Sequence, residues 1–402
     1  MSNHIDRASR LVSTKRRQFL RMALAGAGVL TTAGCALQSA VQQALVPTSQ
    51  PHDAAGGHLL VSQTGASTAA PMDQVHADHA SMTVGVVDHL RNGFDPMQLL
   101  VDFDSGKATT QPNGQTLREY AIYAQDKEIE IAPGVYFPAW TYNGRVPGPT
   151  LRCTEGDRLR ITFINGSAHP HSIHFHGVHP VEMDGVTGAP SGDIKPGATF
   201  VYEFDAEPYG IMPYHCHVAP IKRHIHKGLY GMLIIDPKEG RPPAREFAMV
   251  MNAFDTNFDS ANEVYAVNSI AFEHVRRPIP VKQGELVRIY LTNFVEFDLV
   301  NTFHLHANVF DYFDHGTTLE PQLRRVDNII QSQGSRGIIE FRPKHIGKPM
   351  FHAHVSEFTE LGWMGHFNVV KPEDFAAAVH AVGMNERWDY LALNSSTSVR
   401  AA

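Results

Sequence analysis

The chain repeats itself. A run "AWTYNGRVPGPTLRCTEGDRLRITFIN", then "HSIHFHG", then "DIKPGATFVYEFDAEPYGIMPYHCH" returns as "VYAVNSIAFEHVRRPIPVKQGELVRIYLTNF", "NTFHLHA" and "GSRGIIEFRPKHIGKPMFHAH", with the parts in the same order. Within each copy apolar and polar residues alternate over short runs, as in "RLRITFI", "TFVYEF", "LVRIYL" and "GIIEF". Alternation with a period of two puts one face of a strand in a core and leaves the other in water. Turn dipeptides punctuate the runs: Pro147-Gly148, Glu155-Gly156, Pro196-Gly197 and Gln283-Gly284. The repeat therefore predicts an all-β chain of two sandwiches in tandem, built of antiparallel strands and joined near "DPKEGRPPARE".

The same period places the histidines. Residues i and i+2 of a strand share a face, so His174 and His176 project together, as do His304 with His306 and His352 with His354. His215 and His217 form a fourth pair, and Cys216 between them points the other way. One strand can then serve two metal sites, one on each face. On the cysteine side the candidate partners are His171, three residues before His174, and either His224 or His226 downstream. One thiolate with two imidazoles is the ligand set of a mononuclear copper electron-transfer site. Zinc would tolerate these atoms but would leave the histidine pairs on the opposite face unexplained.

Composition sharpens this reading. The chain has 402 residues, 43% of them hydrophobic, enough for two ordinary cores. It carries 24 histidines against 3 cysteines, too few for a disulfide framework and too scattered for a cysteine-rich zinc module. The net charge is -7 and the only basic cluster lies at the extreme N-terminus, which excludes a nucleic-acid surface in the body.

The N-terminal "KRRQFLRMALAGAGVLTTAG" pairs Arg16 with Arg17 ahead of Phe19, Leu20 and a short apolar stretch, and resembles a twin-arginine export signal, with Lys15 where Ser or Thr is usual. Gly34-Cys35 resembles a lipoprotein processing site, which would put a lipid anchor on Cys35. Thr32 stands there in place of the usual leucine. These features predict a periplasmic or other extracytoplasmic protein. After the signal, residues 1–46, comes a stretch of small and polar residues read as a disordered or extended linker over 47–116. Met72, His76, His79 and Met82 within it read as solvated linker residues. The first domain is expected over 117–240, the second over 241–372, and a C-terminal tail with a short helix over 373–402.

Over residues 117–372 the chain resembles the multicopper oxidases, specifically the small two-domain, laccase-like kind related to copper nitrite reductases. The motifs that carry the likeness are the four His-X-His pairs, one of them His-Cys-His, within a matched repeat. The resemblance implies two tandem cupredoxin-like Greek-key sandwiches and four coppers per subunit. It implies that His171, Cys216 and His224 bind a type 1 copper, with Leu229 in the axial position. That offset favours His224, because from His226 it would fall on Gly231. It implies further that His174 and His304 bind a type 2 copper, and His176, His215, His217, His306, His352 and His354 a type 3 pair. Asn301 and Ala353 stand in the second copy where His171 and Cys216 stand in the first, so only the first domain keeps a type 1 site.

Family members bring the two histidine sets together between subunits of a homotrimer, so a trimer is implied. The activity implied is one-electron oxidation of a small reducing substrate, a phenol or low-valent metal ion, coupled to four-electron reduction of dioxygen to water. Asp184 and Glu357 match acidic proton donors of the family. Two other functions are open. A copper nitrite reductase shares the type 1 ligands but has aspartate at the position of His174 and no ligand after the cysteine. A non-enzymatic periplasmic copper-binding protein would rely on flexible Met/His-rich segments, of which only the linker is an example. Cys153 reads as a buried thiol, Met232 as core, and His169, His179, His315, His345 and His366 as structural or surface histidines without a same-face partner.

Overall fold

The computed structural model describes residues 85–389 apart from residue 387. The export stretch, Cys35, and Met72, His76, His79 and Met82 lie outside the described residues, as do residues 390–402.

Each copy of the repeat folds as a two-sheet sandwich. In the first, one sheet orders Lys107–Thr110, Thr116–Ala132, Arg158–Asn165 and Thr199–Asp205, with Val135–Tyr142 paired to Thr116–Ala132. The facing sheet orders Phe103–Asp104, Thr150–Thr154, Tyr230–Asp236, Gly210–His215 and His174–Phe175. In the second, Val264–Val267, Arg245–Phe254, Val287–Asn293, Arg336–Phe341, Phe310–Asp314 and Leu323–Val326 face Ile279–Lys282, Met364–Val370, Met350–His352, Val300–Leu305 and Asn328–Ser332.

The sheets are mixed rather than antiparallel throughout. Thr116–Ala132 runs parallel to Arg158–Asn165, Thr150–Thr154 to Tyr230–Asp236, and Arg245–Phe254 to Val287–Asn293. Local alternation shows which residues face the core but not which strands become neighbours. These parallel pairs are made by crossovers rather than by hairpins.

Alternation holds where one face meets water, as in Arg158–Asn165. It fails in Gly210–His215 and Arg245–Phe254, which are buried along their whole length. The reason is a third apolar cluster between the domains, in which Ile129, Phe137, Ile211 and Tyr230 meet Val250, Phe254, Tyr290 and Phe294. A buried ionic network crosses the same junction. Arg152 donates to Asp236 at 2.7 Å and to Glu246 at 2.8 Å, and Glu246 also accepts from Arg288 and from the Tyr290 hydroxyl, each at 2.8 Å. Buried charge is tolerated here because each group is paired.

Residues 85–116, expected to be linker, are folded. Asp88 and Asp95 cap two short helices, His89–Asn92 and Pro96–Leu99. Met97, Leu100 and Val101 are fully buried, and they join the core of the second domain. The large apolar residues of "DPMQLLV" account for this, since they supply the burial that the preceding small residues lack. The tail also packs on its own chain. Phe375, Val379 and Trp388 enter the same core, and Trp388 Nε1 donates to the Met97 carbonyl at 2.7 Å. Trp388→Ala is expected to cost about 3–5 kcal/mol in equilibrium denaturation. A loss below about 1 kcal/mol, the range of surface changes, would contradict this packing.

Candidate metal centres

His174–Phe175 pairs antiparallel with Gly210–His215, bringing His174 opposite His215. Cys216 follows on the inner side, fully buried in the core of the first domain. Its Sγ lies 3.1 Å from His224 Nδ1 and 3.8 Å from His171 Nδ1, and the two Nδ1 atoms are 3.1 Å apart. Ligand atoms each about 2.0–2.3 Å from one ion are spaced in this way. Ser167 Oγ, 2.9 Å from His171 Nε2, holds that ring with Nδ1 toward the sulfur. The Ser172 N–H donates to Cys216 Sγ at 3.4 Å. The Trp140 ring covers both imidazoles, with centroids 5.1 Å from His171 and 4.9 Å from His224.

The helix Ile221–His226 separates the two candidate histidines. His224 turns inward to Cys216, whereas His226 Nε2 accepts the Asp255 N–H at 3.0 Å and its ring lies against Phe137 and Phe297. Leu229 is fully buried beside this group. Its carbonyl accepts the Cys216 N–H at 3.0 Å, and its hydrocarbon side chain offers no donor. Met232 sits in the interdomain core. Burial holds His171 down to about 3 and His224 to about 4, so both imidazoles stay neutral with lone pairs available. Burial pushes the Cys216 thiol up to about 11, so a metal must displace its proton.

On the other face His174, His176, His215 and His217 converge. His176 Nε2 and His215 Nε2 are 3.1 Å apart, and the His174 ring lies 5.2, 5.3 and 5.1 Å from those of His176, His215 and His217. Nδ1 of His174 donates to the Asp184 carbonyl at 2.8 Å and Nδ1 of His215 to the Cys216 carbonyl at 3.0 Å, which aims both Nε2 atoms into the cluster. Burial lowers His176 to about 3 and His215 to about 4.

The second domain reproduces the arrangement. His306 Nε2 and His352 Nε2 are 2.9 Å apart, and Nδ1 of His304 and of His352 donate to the carbonyls of Asp327 and Ala353. His354 joins through ring contacts with His304 at 5.3 Å and His352 at 6.0 Å. This set is more open: His306 and His354 are exposed, and a cavity of about 580 Å³ opens on His304, His306 and Asp327. On the inner side Asn301 and Ala353 are fully buried, and Trp363, whose carbonyl accepts the Ala353 N–H, shares an apolar core with Ala353.

The two acids differ. Asp184 Oδ1 lies 3.0 Å from His174 Nδ1 and 3.6 Å from His179 Nε2. Glu357 sits exposed in the first turn of Ser356–Glu360, and among the described residues no hydrogen bond or ion pair joins it to a histidine. Two residues escape sequence reasoning. His179, read as structural, stacks 5.3 Å from His174 and shares Asp184 with it. Asp327 does for His304 what Asp184 does for His174, but it follows its histidine by 23 positions rather than 10, so the repeat carries no signal for it. His169 contacts Trp140, His315 pairs with Asp314, His345 lines the cavity by His304, and Cys153 is a buried free thiol.

Sequence models of the multicopper oxidase family match residues 124–240 and 241–373. A crystal structure of a multicopper oxidase is 54% identical, with a TM-score of 0.70, over 71% of this chain and all of that one. The chain belongs to the multicopper oxidase family. Its sandwiches are accordingly cupredoxin-like, and the family implies copper. Relatives include a copper-containing nitrite reductase of Neisseria gonorrhoeae, 32% identical over 54% of this chain and 59% of that protein, so the chain spans less than two thirds of that relative. Laccase-2 of Botryotinia fuckeliana is 38% identical over 31% of this chain and 22% of its own length. The copper nitrite reductase from Nitrosomonas europaea superposes with a TM-score of 0.58 at 26% identity, over 64% of this chain and 95% of that one.

A buried thiol with two neutral imidazoles, in a core that also holds the donor-free side chain of Leu229, fits the copper of this family. His224→Ala is expected to abolish the blue thiolate-to-copper absorption of the copper-loaded protein, while His226→Ala keeps it. The reverse outcome would exchange their roles.

Proposed function

We propose that the chain is an exported, laccase-like oxidase that takes single electrons from a small reducing substrate, a phenolic compound or a low-valent metal ion, and delivers them to dioxygen. The observation that carries this reading is the placement of two ligand sets back to back on one segment, His215-Cys216-His217. Copper, when bound, supplies a one-electron couple on the cysteine side and four-electron reduction of dioxygen to water on the histidine side. His171, Cys216 and His224 would hold the first ion. His174 and His304 would hold the type 2 ion, and His176, His215, His217, His306, His352 and His354 the type 3 pair, four coppers per chain.

The chain's own residues then do the following. The peptide bonds flanking Cys216 join the two ligand sets by an unbroken covalent path. Trp140 keeps water from His171 and His224. The main-chain carbonyls of Asp184 and Asp327 orient His174 and His304, and the Asp184 side chain, half-buried beside His174 and His179, passes protons inward, with the exposed Glu357, three residues after His354, as a further donor. Two open sets of four histidines support a homotrimer in which the first domain of one chain faces the second domain of the next. Export through the twin-arginine stretch would place this assembly outside the cytoplasm, with Cys35 as the site of an anchor.

Nitrite reduction is the second reading, favoured by the gonococcal relative. His174 and His217 argue against it, because both point with His176 and His215 into one cluster. The copper-loaded protein is expected to hold about four coppers per chain and to take up oxygen with a phenolic donor. Two coppers with nitrite-dependent release of nitric oxide would contradict the oxidase. Asp184→Asn keeps the main-chain carbonyl on His174 Nδ1 and removes only the ionisable side chain, and it should lower kcat for oxygen uptake by about 100-fold, the scale of a lost general acid, while leaving the blue absorption in place. An unchanged kcat would remove Asp184 from the proton path.

A further inference from the structure

The helix that carries His224 has a second face, and that face lines a cavity. Lys222, Arg223, His226 and Lys227 from this helix and its end enclose about 500 Å³ together with Phe258 and Phe297 of the second domain. A volume of this size suits a small ligand. Cations outnumber acids in its lining, Lys222, Arg223 and Lys227 against Asp255. Lys222 Nζ lies 4.5 Å from the Phe297 ring centroid, Lys227 Nζ 5.1 Å from that of Phe258, and the Arg223 guanidinium 5.2 Å from that of Trp140. Among the described residues none of the three forms an ion pair with a carboxylate. Asp255, also in the wall, has both carboxylate oxygens committed to the N–H groups of Asp259 and Ser260. Burial pushes nearby Glu296 up to about 7, which leaves it partly neutral.

The aromatic wall is held in place at a cost in backbone strain. Phe258, Ser260 and Phe297, all lining residues, have φ of 61°, 76° and 72°, in the left-handed region that bulky residues avoid. Such strain persists only where the surroundings enforce it, and it gathers at functional sites. The cavity also adjoins the buried centre. Arg223 and Lys227 stack on Trp140, whose ring lies 4.9 Å from His224.

We infer that this cavity is the donor pocket and that it takes a planar aromatic reductant bearing an anionic group, with the ring against Phe258 and Phe297 and the anion at Lys222 and Lys227. The inference rests on the oxidase reading and names its substrate class. Each donor gives up one electron and its phenolic proton. Four such events match the four electrons and four protons with which dioxygen, the terminal oxidant, becomes two waters.

The test separates the pocket from the oxidase. Calorimetric titration of the protein with 2-naphthoate, which is not oxidised, should show binding, and the neutral 2-naphthamide should bind at least about tenfold more weakly. Lys222→Gln and Lys227→Gln should each weaken naphthoate binding about tenfold and narrow its advantage over the amide, with the thermal midpoint as a check on folding. In oxygen uptake, the same variants should lower the kcat/KM ratio of an anionic phenol to a neutral one. Equal binding of acid and amide, or affinity unmoved by both substitutions, would overturn the pocket even in an active oxidase. Naphthoate binding as expected with no oxygen uptake from any donor would instead overturn the oxidase reading, and the donor role with it.

Discussion

Neighbouring side chains on an extended chain point to opposite faces, and the rest of this structure depends on that constraint at His215-Cys216-His217. Cys216 points into the core of the first sandwich, where it meets His171 and His224. Its two neighbours point to the histidine cluster outside that core. The inner site is therefore buried and covered by Trp140, while the outer one is half-buried, with His174, His176 and His217 partly open. Carbonyls occupy Nδ1 of His174 and His215 and so turn the Nε2 atoms of these two rings into the cluster. Two chemically different environments thus lie one residue apart.

The second domain shows what happens when only half of that constraint is used. Its histidine set matches the first in detail, down to the paired Nε2 atoms of His306 and His352. Its inner side is ordinary core, where Ala353 stands in the place of the thiol in one cluster with Trp363 and Phe358. The buried amide of Asn301, whose Nδ2 has no hydrogen-bond partner among the described residues, stands where His171 stands in the first copy. The interdomain cluster and the ionic network of Arg152, Glu246 and Arg288 then lock one complete and one half-complete unit into a single body. His226 belongs to that lock, since its ring nitrogen receives the backbone of Asp255 in the second domain.

Much of this was legible in the sequence for a physical reason. Periods of two and a repeated order of motifs are local, and they place His174, His176, His304 and His306 on faces before any fold is known. The choice between His224 and His226 was only suggested by an offset to Leu229; it turns on which side of one helical turn faces the sulfur. What stayed hidden depends on contacts between distant segments. The parallel strand pairs, the full burial of Arg245–Phe254, the Asp327 carbonyl on His304 and the contact of His179 with Asp184 are of this kind. The stretch 85–116 was missed because small residues before it set the reading, although Met97, Leu100 and Val101 carry the apolar surface that folds it onto the second domain.

What remains to be seen in the molecule is a single strand dividing two copper sites between its faces. Anomalous diffraction at the copper edge from crystals of the copper-loaded protein tests it most directly. One peak is expected within bonding distance of His171 Nδ1, Cys216 Sγ and His224 Nδ1. A separate group of three is expected between the His174 set of one chain and the His304 set of a neighbouring chain. A peak on His226 in place of His224, or no peak at the histidine sets, would contradict that division.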